Sequence, residues 1–358
     1  MSFKLRNRKR IIIFYCIGWI IAFAYLSVIR GVGTKELGSV EFDFWESAIV
    51  SVIFGIIFGF ISAVIQIITE EKLYRSISFR NLLLLRIVFA LLFLTILILA
   101  SYAMVRIFFN NQLGFVEFAF EPGSLSNYFY LVTVDFFLFS LRLVILMLGE
   151  KNLGKLLSGK FYSPREEERI FMFLDLRSST QLAEKLGHIR YSRLIQDCFS
   201  DLGVVMEYSA EIYQYVGDEA ILTWELEEGI RDQNCIRAFY SFKKTLLDKT
   251  EYYKKEYDCD PQFKAGLHAG IVTVTEVGKY KKDIAYHGDT INTAARIQAK
   301  CNEFGKEILI SEKIVNQLNS NEFEIIGKIS LRGKEKEVTI YSVAANSDSY
   351  NRSGLSEN

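Results

Sequence analysis

Apolar residues run almost unbroken through four stretches of the first half of the chain, then give way to short alternating or periodic runs. The stretches are Ile11–Ile29, Ala48–Ile68, Leu82–Val105 and Tyr128–Leu148. Each approaches or exceeds the roughly 20 apolar residues that a helix needs to cross a bilayer. They predict an α-helical membrane domain of four spans over residues 1–148, in contact with lipid. A short, charged, glycine-broken junction follows at 149–169, expected as a helical linker.

Beyond it the periodicity changes. Arg169–Asp175 (RIFMFLD) is a run of strand length that ends on a carboxylate. Ser179–Ser209 has helical spacing, with Leu182, Leu186, Leu194, Ile195 and Phe199 on one side. Glu211–Val216 and Glu219–Trp224 are strand-like and flank Gly217-Asp218, a hairpin signal. Gly229–Tyr257 reads as an amphipathic helix, Gln262–Val277 as β-rich and Asp289–Cys301 as a short helix. Strand-helix-strand-strand-helix-strand is the α+β, ferredoxin-like (βαββαβ) order. Strands are also expected at Phe323–Leu331 and Val338–Val343, and 346–358, rich in Ser and Asn, as a disordered tail.

Composition sharpens the division. Of 358 residues 50% are hydrophobic, yet the charged ones lie mostly past Leu148. Lys+Arg and Asp+Glu balance at 42 each, which argues against a nucleic-acid partner. Five scattered cysteines form no CxxC pair and fit neither a disulfide framework nor a zinc site. Basic residues gather before the first span (Lys4, Arg6, Arg8, Lys9, Arg10), between the second and third (Lys72, Arg75, Arg80) and after the fourth (Lys151, Lys155, Lys160). The positive-inside rule then puts both termini in the cytoplasm of a multi-pass protein of the cell (inner) membrane, with the first span an uncleaved anchor. Arg86, Asp135 and Arg142 interrupt the apolar runs. The arginines are expected to reach toward the nearer helix end and Asp135 to pair locally.

The candidate chemistry lies in two carboxylates. Asp175 ends the first predicted strand and Asp218 sits in the hairpin. A ferredoxin-like sheet sets that strand beside that hairpin, so the pair can share divalent cations. Asp289, at a helix start, and His188, His268 and His287, without ligand spacing, are read as structural.

Three segments, FMFLDLRSSTQLAEKLG (Phe171–Gly187), YVGDEAIL (Tyr215–Leu222) and GDTINTAARIQ (Gly288–Gln298), together resemble the class III adenylate/guanylate cyclase catalytic domain over about half the chain, here assigned 170–345. The resemblance is to membrane-anchored bacterial-type enzymes and implies conversion of ATP to 3′,5′-cyclic AMP and pyrophosphate. It implies that Asp175, Asp218 and the Leu176 carbonyl bind two Mg²⁺ (or Mn²⁺). It makes Asn292 the ribose contact, Arg296 the α-phosphate contact and Lys334 the residue meeting the outgoing phosphates. It also implies a homodimer through the catalytic domain, with metals on one subunit and the Asn/Arg pair on the other. Two base-reading positions depart from the family's pattern: Gln214 stands for a lysine, and Ala285 for Asp, Thr or a similar polar residue. A pyrimidine triphosphate or GTP is therefore the alternative substrate. A catalytically dead membrane sensor or dimerisation scaffold is disfavoured because Asp175, Asp218, Asn292 and Arg296 are all present. The diguanylate cyclase turn resembled by Val216–Ala220 lacks its first glycine and its Phe here.

Overall fold

In the computed structural model, which describes residues 3–36, 44–73, 77–108, 114–149, 154, 159–160, 162–280, 282–318, 322–330 and 337–344, the four apolar stretches are helices. The chain divides into two units, Met1–Gly154 and Lys155–Asn358. The first holds α1 (Phe3–Glu36), α2 (Phe44–Ile68), α3 (Phe79–Phe108), a short α4 (Phe115–Ala119) and α5 (Pro122–Leu148). Four segments, Lys4–Ile29, Ser47–Leu73, Arg80–Ala100 and Ser124–Met147, are long and apolar enough to span a membrane.

Helices α1 and α2 touch backbone to backbone. A Cβ on Gly59 would lie 2.5 Å from the Cys16 Cα, and one on Gly55 2.6 Å from the Ile20 Cα. Small residues spaced by four permit such an approach.

Arg86 and Arg142 pair across helices and do not reach for the helix ends. Arg86 is buried and donates twice to Asp135, at 2.8 and 2.7 Å. Arg142, also buried, donates twice to Glu70 at 2.8 and 3.0 Å. This corrects the expectation that the arginines snorkel. A buried guanidinium with a bidentate carboxylate keeps its charge compensated without water. Ser62, Gln66 and Glu70 form a polar stripe down the α2 side of this unit, satisfied by Trp19 and Asp135 at Ser62, Tyr15 at Gln66 and Arg142 at Glu70.

The second unit is an eight-stranded sheet. Its elements are β1 (Arg165–Leu176), α6 (Ser179–Asp201), β2 (Glu211–Val216), β3 (Glu219–Glu225), α7 (Leu226–Ile230), α8 (Asn234–Asp248), α9 (Thr250–Tyr257), β4 (Phe263–Val277), β5 (Asp283–His287), α10 (Asp289–Ala299), β6 (Ile308–Ser311), α11 (Glu312–Leu318), β7 (Phe323–Ile329) and β8 (Val338–Val343). The order β2-β3-β1-β4-β6-β8-β7, with β5 on β4, contains the ferredoxin-like arrangement as its first four strands. β4 and β6 are parallel, the other pairs antiparallel.

Three expectations differ. β1 begins at Arg165, so residues 165–169 of the expected helical linker are strand. The charged Glu166 and Glu168 there alternate with inward positions, and an apolar-run criterion misses them. β6 and α11 were not anticipated, because ILIS is only four residues long, although all four are buried. The Gly229–Tyr257 helix is three segments, α7, α8 and α9. The tail expected as disordered lies outside the described residues.

Strand alternation divides the core. Ile170, Met172 and Leu174 pack with α6 and α8 residues such as Leu194, Cys198 and Phe239. Phe171, Phe173, Val272 and Val274 pack on the opposite face with Ala294 of α10. α10 lies tight on β4 because β4 carries glycines under it: a Cβ on Gly266 would fall 2.1 Å from the Gln298 backbone nitrogen. Thr290 closes the other end, its hydroxyl donating to the Ile271 carbonyl at 2.8 Å. Arg169, fully buried, ties β1 to its neighbours through Glu167 (3.0 Å), Glu211 (2.9 Å) and Thr223 (3.0 Å), under the ring of Tyr286.

Gly266→Ala must therefore push α10 off the sheet. It is expected to lower unfolding stability by about 1–3 kcal/mol, read from the denaturant midpoint of the full chain. An unchanged midpoint would contradict the close packing.

Candidate active site

Asp175 is the penultimate residue of β1 and faces Glu219 on β3 and Lys264 on β4 across the ladder. Asp218 precedes Glu219 in the two-residue β2–β3 turn, where Gly217 takes φ 63°, a conformation free of cost only for glycine. The register thus brings Asp175, Asp218 and Glu219 to one edge of the sheet. Their mutual repulsion is visible in Glu219, whose carboxyl is pushed up to about 7, first by burial and then by Asp175 and Asp218, against the pull of Lys264. The Tyr191 phenol of α6 is pushed up to about 12 by burial, with Asp218 and Asp175 adding to it.

The two aspartates differ in their partners. Asp175 Oδ2 holds the Lys264 ammonium at 3.0 Å and accepts from Gln298 Nε2 at 3.1 Å. Asp218 Oδ2 is buried and has no hydrogen-bond partner among the described residues. A buried carboxylate oxygen left unbonded is costly unless a cation completes it. The site therefore fits a divalent metal. Among the described residues no group of three or more His, Cys, Asp or Glu could hold an ion alone. Two carboxylates with a backbone carbonyl and substrate oxygens make the donor set usual for Mg²⁺. Leu176 can contribute only its carbonyl, since its side chain is buried in the core.

α10 has two faces, and one of them meets this site. Thr293, Ala294, Ile297 and Gln298 are buried, and Gln298 is its contact to Asp175. Asn292 is exposed and Arg296 half-buried. Arg296 lies two residues before Gln298, roughly 200° around the helix. Asn292 shares the Arg296 face and so also turns away from Gln298. One copy of the chain therefore does not bring the Asn/Arg pair onto its own carboxylates.

Gln214 is exposed on β2 opposite Ile221, which packs on the α10 side of the sheet, the side of Asp175. Ala285 is half-buried on β5. Their chain neighbours Tyr213 and Tyr286 meet edge to face at 5.0 Å, so the two positions expected to read the base lie on adjoining parts of the sheet. Lys334 lies outside the described residues. Asp289 is the first residue of α10, and His268 is buried in β4.

Sequence reasoning missed Lys264, Gln298, Glu219 and Tyr191. Lys264 did carry a signal, being the one charge in the apolar start of β4 (FKAGLHAG). The others depend on register and helix phase, which local patterning does not fix.

A ferredoxin-like sheet with converging carboxylates at the end of its first strand and in the adjoining hairpin is an arrangement suited to metal-assisted phosphoryl transfer. Comparison with known proteins agrees. Residues 161–345 match the adenylate and guanylate cyclase catalytic domain family, and the chain belongs to that family. It is 32% identical over 205 residues to adenylate cyclase 2 of Rhizobium meliloti (strain 1021), covering 56% of each chain. It is 26% identical over 187 residues to an adenylate cyclase of Anabaena cylindrica, covering 49% of this chain and 36% of that one. The chain thus spans about half or less of the length of these curated relatives. Its fold is similar to that of a bacterial light-regulated adenylyl cyclase, with TM-score 0.52 and 19% identity over 60% of this chain and 63% of that one.

Glu219 generates a pH prediction. Between about 4.5 and about 7 the folded chain keeps a proton there that the unfolded chain gives up. Its stability contribution is therefore lost as pH rises through that window. Glu219→Gln should flatten the corresponding fall of Tm in metal-free buffer. An identical slope would place Glu219 outside the carboxylate cluster.

Proposed function

We propose that the chain is a membrane-anchored nucleotide cyclase that converts ATP to 3′,5′-cyclic AMP and pyrophosphate. The observation that carries this reading is the convergence of Asp175 with an Asp218 whose buried oxygen lacks a partner among the described residues. The ribose 3′-oxygen bonds to the α-phosphorus and gives up its proton to water, while the bond from that phosphorus to the bridging oxygen of the β-phosphate breaks. Pyrophosphate leaves. Asp175, Asp218 and the Leu176 carbonyl would hold two Mg²⁺ or Mn²⁺, which supply positive charge for the attacking oxygen and the triphosphate.

The protein's own groups do the remaining work. The α6 N-terminus, directly after the Asp175 turn, offers backbone amides to phosphate oxygens. The Lys264 ammonium, held at Asp175, is a cation beside the departing phosphates. Asn292 orients the ribose and Arg296 stabilises charge at the α-phosphate, with Lys334 a further cation for the leaving group.

Because Gln298 and not Arg296 touches Asp175, the reading requires two copies of the chain, each lending its Asn/Arg face to the other's carboxylates. A twofold dimer provides two such sites. Gln214 can donate and accept at a base edge, whereas Ala285 cannot, so base choice rests on Gln214 and backbone groups. Residues 1–148 act as the membrane domain and the cyclase domain extends to 345. The basic residues flanking the spans favour both termini, and the catalytic domain, on the cytoplasmic side.

Two experiments test this. Asp175→Ala and Arg296→Ala are each expected to lower turnover by about 10²-fold or more. Mixing the two proteins should restore roughly a quarter of the wild-type rate through dimers with one intact site. No recovery would sink the shared site. Gln214→Lys should raise the yield of cyclic AMP relative to other cyclic products when all four nucleoside triphosphates compete, as measured by mass spectrometry. An unchanged product ratio would remove Gln214 from base recognition.

A further inference from the structure

Two donors of different kinds hold the Asp175 side chain, and both reach the same oxygen. Oδ2 lies 3.0 Å from the Lys264 ammonium and accepts from Gln298 Nε2 at 3.1 Å. No other hydrogen bond or ion pair reaches this side chain among the described residues, so Oδ1 is left over. The Asp175 side chain is 24% exposed, enough for an ion to approach it.

Gln298 descends to Asp175 from α10 and is buried. Its reach depends on Gly266 of β4, where a Cβ would stand 2.1 Å from the Gln298 backbone nitrogen and 2.6 Å from the Gln298 Cβ. Gly266 lies opposite Phe173 in the β1 ladder, two residues from the pair formed by Asp175 and Lys264. One bare place on a strand thus lets a helix side chain settle onto a carboxylate of the neighbouring strand.

Chemistry limits what this amide can do. An ionised carboxylate only accepts, so Gln298 must turn its NH₂ toward Asp175. Being neutral, the amide fixes the carboxylate without cancelling its charge. Lys264 alone would do the opposite. Its ammonium carries three rotatable donors, and a carboxylate free to turn about its Cβ–Cγ bond would offer it both oxygens, closing Oδ1 to a metal. Groups that stand behind a metal ligand set that ligand's orientation.

We propose that Gln298 is a positioning residue for the metal site: it pins Asp175 Oδ2, keeps Lys264 on that one oxygen and leaves Oδ1 to a divalent cation. This inference rests on the reading of Asp175 as a metal ligand. Within that reading α10 has two duties. Gln298 serves the carboxylates of its own chain, while Asn292 and Arg296 serve those of a second copy.

The test is a Mn²⁺ titration of the purified full-length chain with 3′-deoxy-ATP, followed by electron paramagnetic resonance of the free ion, which reads affinity without turnover. Gln298→Met keeps the length of the side chain and removes its N–H groups. It should weaken Mn²⁺ binding beyond that of the free nucleotide by about tenfold or more. Gln298→Leu should do the same and decides the matter if the first variant does not fold. Ile297→Val trims an apolar residue on the buried face of the same helix and should leave the affinity unchanged. Wild-type affinity in the Gln298 variants, or an equal loss in Ile297→Val, would overturn the proposal while leaving the metal reading intact. A wild-type chain that holds no Mn²⁺ beyond that of free 3′-deoxy-ATP would overturn the metal reading, and this inference with it.

Discussion

The catalytic unit depends on one register, that of β1 against β3. Pairing Asp175 with Glu219 forces the Asp218 turn into the same corner, so three acidic side chains gather there, and burial together with the two aspartates pushes the Glu219 carboxyl up. Lys264 offsets part of this through its contact to Asp175. Nothing among the described residues does so for the buried oxygen of Asp218. A cluster of like charges is a stability liability for the fold and an affinity source for divalent cations. The rest of the unit serves to keep the corner in place. Arg169 fastens β1 to Glu211 of β2 and Thr223 of β3, and the α10 contact of Gln298 closes the Asp175 side.

Helix phase fixes which side chains α10 turns toward the sheet. Gly266 and Gly270 let α10 settle onto β4 so deeply that its buried face is fixed, and with it the direction of Asn292 and Arg296. Those two side chains share the opposite face. Under the proposed function all four residues act at one phosphate, so the reading calls for a second copy to lend the pair.

Much of this was legible in the sequence. The four spans, the βαββαβ order and the Gly217-Asp218 hairpin follow from local apolar period and turn chemistry, and the structure has them. The short β6 escaped because four residues carry no period, and the early start of β1 escaped because glutamates occupy its outward positions. The partners Lys264 and Gln298 sit 89 and 123 residues from Asp175, so only the assembled sheet reveals them. The same is true of Glu70: it is an unremarked acid after the second span until Arg142, 72 residues later, packs against it. Long-range ion pairs leave no local trace, and they proved to be what organises the polar interior of the helical unit.

The most direct measurement is a count of bound metal. Electron paramagnetic resonance of Mn²⁺ with the purified full-length chain and 3′-deoxy-ATP, which lacks the attacking hydroxyl, reports ions held in the substrate complex. The carboxylate corner predicts two Mn²⁺ per nucleotide bound, with Asp218→Asn abolishing the pair. Nucleotide bound with no Mn²⁺ beyond that of free 3′-deoxy-ATP, or a count indifferent to Asp218→Asn, would contradict it.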